Sequence, residues 1–264
     1  MTFPICGKRE SEIQSLEDWF RFAPPANPAT QWQPGRSAME FARAWLDNGC
    51  PRVPHDLERL LLECEETQGL TFQKAFAEAK TQFKDTARGP RSHDLLVEAQ
   101  THTGQLVVLG IEGKEREEFD GTLDQSIKDA KRKSECTQLP KRVDNFCRAL
   151  FGRPYDTDLK DLRYQFFSGI CGTLVEGQRR GATLSVFVVI QFKTTATPKV
   201  DFERNANDYV RFVRTLFKDD CMAVKDGKMY GPLCVPGSEL VPAGRVIVGK
   251  ITSEIALSPG ISKS

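Results

Sequence analysis

The chain is poor in histidine, has no paired cysteines and lacks a long apolar run, and each shortage removes a class of protein. It has three histidines and eight cysteines, the latter scattered at positions 6, 50, 64, 136, 147, 171, 221 and 234. No C-x-x-C pair occurs, so a zinc site is not expected. Residues 1–10 contain no apolar stretch of the kind a secretory leader needs, which points to reduced thiols in a cytoplasmic protein. No segment reaches the length of a membrane span, so a membrane partner is not expected. Neither sign of charge dominates. The net charge is +1 over 264 residues, and composition alone announces neither a nucleic-acid binder nor a membrane-surface protein. The basic clusters Lys128, Lys131, Arg132 and Lys133, then Lys141 and Arg142, then Arg179 and Arg180 read as solvated faces. Cys171 lies in an apolar helical pattern without a histidine partner and reads as a core thiol.

What is present is a chain long enough to bury a core of its own. Residues 23–35 are rich in proline and read as loop. Ser37 with Glu40 three residues on reads as a capping box opening a helix, with Phe41, Ala44 and Trp45 inward. Further helices are expected over 55–66 and over 72–83, where Phe72, Ala75, Phe76 and Ala79 recur at helical spacing. Beyond residue 120 the pattern predicts a charged helix over 122–133. It then predicts a helix with Pro140 in its first turn and Gly152 at its stop. The next helix, over 161–181, has an apolar stripe of Leu162, Phe166, Ile170 and Leu174 opposite Gln165, Ser168, Gly172 and Glu176. Residues 183–192 are almost continuously β-branched or aromatic, as suits a strand covered on both faces. A helix over 203–217 and a β-rich tail follow, residues 244–255 being its clearest strand. This order predicts a mixed α/β fold: a lead-in over 1–35, a main domain over 36–220, and a small β-rich extension over 221–264 packed on it.

The segment 93–117 reads as one hairpin. Leu95, Val97, Ala99, Val107, Leu109 and Ile111 share one face of it, because side chains alternate along a strand. Asp94, Leu96 and Glu98 lie on the other face with Val108, Gly110, Glu112 and Lys114. His102-Thr103-Gly104 fits a three-residue loop ending in a left-handed glycine, which pairs Thr101 with Gln105 and sets Asp94 opposite Glu112. Opposed residues have Cβ atoms about 4.5–5.5 Å apart, and two carboxylates that close repel. They either face water or need a cation, a shared proton or a base; Lys114 is one partner and a divalent metal, which takes several oxygen ligands, a better one. The charged run Glu115 to Glu118 reads as exposed.

An acid early in one strand, a short hairpin and then acid-x-Lys in the next strand resembles the PD-(D/E)XK nuclease superfamily, here as Asp94 and Glu112-Gly113-Lys114. The stretches GPRSHDLLVEA, GIEGKEREEFDGTL and LRYQFFSGICGTLVEG resemble its uncharacterised bacterial domain families. The resemblance covers about residues 30–218 and implies a restriction-endonuclease-like core of helix, three strands, helix and strand. A strand ahead of Asp94 is the missing piece, since 66–90 reads as helix and loop. His93 stands where the family has proline, and Gly113 where a bulky apolar residue is usual.

The resemblance implies a metal-dependent nuclease hydrolysing phosphodiester bonds in DNA or RNA. It leaves open a non-catalytic relative that binds nucleic acid or a protein partner. Asp94, Glu112 and the Gly113 carbonyl would hold one or two Mg²⁺ or Mn²⁺ ions, and Lys114 would orient the attacking water. Glu98, Glu40 and Gln165 stand as accessory positions, Arg163 as a phosphate contact, and a homodimer as an option. Each of these four has a plain alternative: a salt-bridged acid for Glu98, the capping box for Glu40, packing or polarity for Gln165, a solvated arginine for Arg163.

Overall fold

The structure is a computed structural model and describes residues 3–47, 50–85, 89–195 and 197–255. The chain opens with strand β1 (Ile5–Cys6), helices α1 (Leu16–Phe22), α2 (Pro28–Gln31) and α3 (Ser37–Trp45), the short pair β2 (Leu46–Asp47) and β3 (Cys50–Pro51), and helix α4 (His55–Leu61). Strands β4 (Thr71–Thr81), β5 (Arg91–Gln100) and β6 (Leu106–Lys114) follow. Then come helices α5 (Leu123–Lys133), α6 (Leu139–Phe151) and α7 (Tyr164–Arg180), strand β7 (Leu184–Thr194), helix α8 (Lys199–Phe217), and strands β8 (Lys228–Val235) and β9 (Gly244–Ile255). Seven strands form one mixed sheet in the order β1-β4-β5-β6-β7-β9-β8. The α/β fold with a central sheet flanked by helices is therefore as expected. One core packs α1, α3 and α4 on the face carrying Leu95, Val97, Leu109 and Ile111. The other packs α6, α7 and α8 around Phe187, Val189, Val246 and Val248. Among the described residues no helix is long and apolar enough to cross a membrane.

Residues 72–83, expected as a helix, are mostly strand β4. Their Phe and Ala residues fit both periods, and Ala, Glu, Lys and Gln favour helix by at most a few tenths of a kcal/mol each. Pairing decides: β4 bonds β1 on one edge at Ala75 and Phe76 and runs antiparallel to β5 from Thr71 to Thr81 on the other. Ala75 and Ala77 alternate into the core. A strand thus precedes Asp94 where the sequence reads as helix and loop.

Three local expectations are corrected. Helix α3 begins at Ser37 with Arg36 as its N-cap, and no side chain caps it. Ser37 is thus already inside the first turn, and Glu40 accepts the Gly35 N–H at 2.7 Å instead of closing a box. Glu115 is fully buried, taking the Arg116 guanidinium at 2.8 Å and the Thr197 hydroxyl. Arg142 is buried too, paired with Asp85. In each case a specific partner compensates the burial of charge.

Helix α6 has Pro140 in its first turn and ends on Gly152 at φ 70°, as expected. Helix α7 is buried all along Tyr164 to Gly177, so its polar face meets the sheet rather than water. Small residues allow the approach. A Cβ on Gly169 would lie 2.4 Å from the Phe187 ring, and one on Gly110 of β6 would lie 2.1 Å from Thr173 Oγ1. Cys171 is a fully buried core residue and none of the eight cysteines forms a disulfide. The tail supplies strands of the main sheet: β9 runs parallel to β7 and antiparallel to β8. Residues 256–264 of the expected extension, and 86–88 ahead of β5, lie outside the described residues.

Candidate active site

The β5–β6 turn closes as its residues demand. Thr101 N–H bonds Gln105 C=O at 3.0 Å, Gly104 N–H bonds Thr101 C=O at 2.9 Å, and Gly104 has φ 80°. The register runs from Gln100↔Leu106 to Leu95↔Ile111, and one more step sets Asp94 against Glu112. There the two strands stop pairing by backbone alone. Asp94 Oδ2 takes the Gly113 N–H at 2.7 Å. Alternation also breaks at this point. Leu95 points into the α3 core, yet His93, two residues earlier, lies against Gly110 and Gly172 on the α7 side. On the neighbouring strand Ala77 pairs Leu95 and Ala79 pairs His93, which places Glu78 beside Asp94. Glu78 has φ 52°. A left-handed non-glycine residue inside a strand costs about 1–3 kcal/mol and tends to occur where function requires it.

These turns open a cleft of about 380 Å³ at the end of the hairpin, whose lining includes Glu78, Arg91, Asp94, Glu112, Lys114 and Gln165. Glu112 is buried. Its Oε1 accepts from Gln165 Nε2 at 2.6 Å, and its Oε2 accepts from Arg91. Burial raises the Glu112 carboxyl above the usual carboxylate range; Arg91 opposes the shift and the charge of Asp94 adds to it. Burial likewise pushes Glu78 up to about 7, with Asp94 adding and a 2.7 Å hydrogen bond from the Ser92 hydroxyl opposing. Lys114 makes no ion pair among the described residues, and its ammonium sits 5.6 Å from the centre of the Phe119 ring. Gly113 has a packing reason to lack a side chain, since a Cβ there would fall 2.5 Å from Phe41 Cδ2. His93 is buried against the Thr81 hydroxyl at 3.0 Å, and burial holds its imidazole well below the ordinary pKa.

The structure therefore brings Asp94, Glu112, Gly113, Lys114 and Gln165 together. It does not bring in Glu98, which pairs with Arg180 at 2.7 Å, or Glu40, which pairs with Arg43 at 2.9 Å. Arg163 is spent on Asp208 and Glu118. Two cleft residues escape sequence reasoning. Glu78 is hidden by the helical period of its segment, and Arg91 lies just ahead of 93–117, the stretch read as the hairpin; only the strand register of β4 against β5 reveals them.

The family model for the domain of unknown function DUF6946 matches residues 12–251. The chain belongs to that family. The match runs from α1 into β9, so the DUF6946 domain takes in the whole seven-stranded sheet apart from β1 and the end of β9. No curated protein and no solved structure matches the chain.

Among the described residues no three His, Cys, Asp or Glu side chains are placed, as they stand, to share a metal ion. The donor chemistry nonetheless fits a hard divalent cation. Asp94 and Glu112 offer carboxylate oxygens beside the Gly113 backbone, a carbonyl is an ordinary third ligand, and such ions take oxygen ligands. Glu112 is buried beside the partly buried Asp94, and its positive partner in the structure is Arg91.

Proposed function

We propose that this protein is a metal-dependent phosphodiesterase acting on nucleic acid, with Asp94, Glu112 and Lys114 at its centre. One observation carries the reading: these three residues line a single cleft, with Gln165 bonded to Glu112 and Lys114 free of any ion pair among the described residues. Asp94, Glu112 and the Gly113 carbonyl would hold Mg²⁺ or Mn²⁺. Such an ion, when bound, lowers the pKa of water and offsets charge on the phosphate. The chain's own residues do the rest. The Lys114 ammonium orients the attacking water and balances the negative charge that develops on the phosphate oxygens. Gln165 fixes the Glu112 carboxylate, so its lone pairs keep one direction. Trp32, half-exposed on the cleft wall and 5.4 Å from the Phe20 ring, offers a face on which a base can stack.

The test is scission of labelled DNA and RNA by purified protein with Mg²⁺ or Mn²⁺, beside Lys114→Ala. Loss of about 10²-fold or more in rate is expected for the variant, and scission unchanged by it removes Lys114 from the chemistry. The Arg91–Glu112 pair favours a second reading, a domain of this fold that binds nucleic acid or a protein partner without cutting. Binding of the same strands with no metal-dependent scission would select it.

A further inference from the structure

Arg91 is the first residue of β5, and its guanidinium reaches along the strand to Glu112. Its aliphatic stem packs on α7, where a Cβ on Gly172 would lie 3.3 Å from Arg91 Cγ. The side chain is 11 % exposed, and its Nε is buried with no hydrogen-bond partner. A guanidinium has five donors in a planar fork, so this one is under-used: it satisfies one carboxylate oxygen and leaves an inner donor unmatched. Glu112 is also one of the two acids that would hold the divalent ion in the proposed reading. Both Glu112 oxygens already take a donor, Oε1 from Gln165 and Oε2 from Arg91, and the guanidinium charge repels a divalent cation approaching the same carboxylate.

Arg91 also has somewhere to go. It lines both the acid cleft and a neighbouring pocket of about 190 Å³, which Ser92, Asp120, Tyr164 and Ser168 help to line. A phosphate entering the cleft offers the fork two oxygens at once, the bidentate geometry that arginine recognises best. Resting on the proposed phosphodiesterase reading, we propose that Arg91 is a substrate-phosphate residue held on Glu112 while the cleft is free, so that a divalent cation and a phosphodiester enter together. Substrate draws Arg91 off Glu112, and Glu112 then accepts the cation. Coupling of this kind is reciprocal: each ligand tightens the other by the same factor. The resting ion pair keeps the carboxylate neutralised and withholds it from metal until a phosphodiester is present.

The experiment is calorimetric titration of the full chain with Mn²⁺, alone and with a phosphorothioate-linked oligothymidylate that resists scission. Arg91→Gln is run beside the natural sequence; it keeps a donor for Glu112 but no charge, and a thermal melt checks that it folds. Arg91→Gln should bind Mn²⁺ alone about tenfold tighter than the natural protein, corresponding to about 1.4 kcal/mol. The oligonucleotide should tighten Mn²⁺ binding by a similar factor in the natural protein and by little in the variant. Equal Mn²⁺ affinity in the two proteins, or equal tightening by oligonucleotide in both, overturns the exchange and leaves the phosphodiesterase reading standing. No Mn²⁺ binding by either protein overturns both.

Discussion

Glu78 carries a backbone conformation and a protonation state that are both unfavourable, and the two have one origin. The left-handed turn at Glu78 and the break in alternation at Asp94 occur side by side in adjacent strands. They set two partly buried acids at the mouth of one cleft. The Glu78 carboxyl is lifted from 4.5 to about 7 by burial and by Asp94. A carboxyl raised in the folded state binds its proton more tightly there than in the unfolded chain. Its contribution to stability is therefore complete below about pH 4.5 and is lost as pH rises through 7. Glu78→Gln, which never ionises, should be more stable than the natural protein at pH 8. The gain should be about 1–2 kcal/mol, less than the full shift implies because the group is half-open to solvent. Urea unfolding at pH 8 and pH 4.5, in the presence of a chelator, measures this. The advantage should shrink towards zero at the lower pH, and an equal difference at both would dissociate Glu78 from the effect. Asp94, Glu112 and Lys114 were legible in the sequence because a strand's two-residue period and a Gly104 turn are local signals. Glu78 was not, because its partner in the cleft comes from a strand pairing that no local signal reports.

At the level of elements, β4 and α7 show the same limit from opposite sides. The segment holding β4 has helical spacing and helical composition, yet two strand neighbours outweigh propensities worth a few tenths of a kcal/mol per residue. The extent of α7 was legible to within a turn, but the helical pattern does not say what its polar stripe meets; Gly169, Gly172, Thr173 and Gly177 bring it onto the sheet. That close approach delivers Gln165 to Glu112. Gly169→Ala puts two effects in competition. Alanine gains about 1 kcal/mol over glycine in a helix interior, whereas forcing a methyl into a packed core costs typically 1–3 kcal/mol. The added Cβ would sit 2.4 Å from the ring of Phe187, itself buried and unable to swing out, so the clash should win. Denaturant midpoints should fall, with a net loss of about 1–2 kcal/mol, and a stabilised variant would mean that α7 packs further from the sheet than described.

The whole molecule depends on strands that the sequence order places last. Residues 244–255 read as a strand from composition alone, but nothing local says that β9 inserts beside β7 ahead of β8 in the sheet. Strand order in a mixed sheet is set by crossover connections across the whole chain, which is why residues 221–264 look like an appendage when read in order. In the folded chain β9 covers the β7 edge from Ser185 to Thr194. It also sends Val246 and Val248 into one core and Ile247 and Ile251 into the other. Each such side chain contributes about 1.5–3 kcal/mol on burial, so the four together supply about 6–12 kcal/mol. The total stability of a domain is about 5–15 kcal/mol. A chain ending at residue 220 should therefore lose cooperative unfolding altogether. It would also leave the apolar β7 as an open edge able to pair with other copies. Thermal melts and size-exclusion profiles of that truncated chain should show no transition and a shift to large aggregates. A sharp melt of a monomer would instead establish that the first 220 residues fold independently and that β8 and β9 are a dispensable cover. In that case the acid cleft at the end of β5 and β6 would have to be held by α3 and α7 alone.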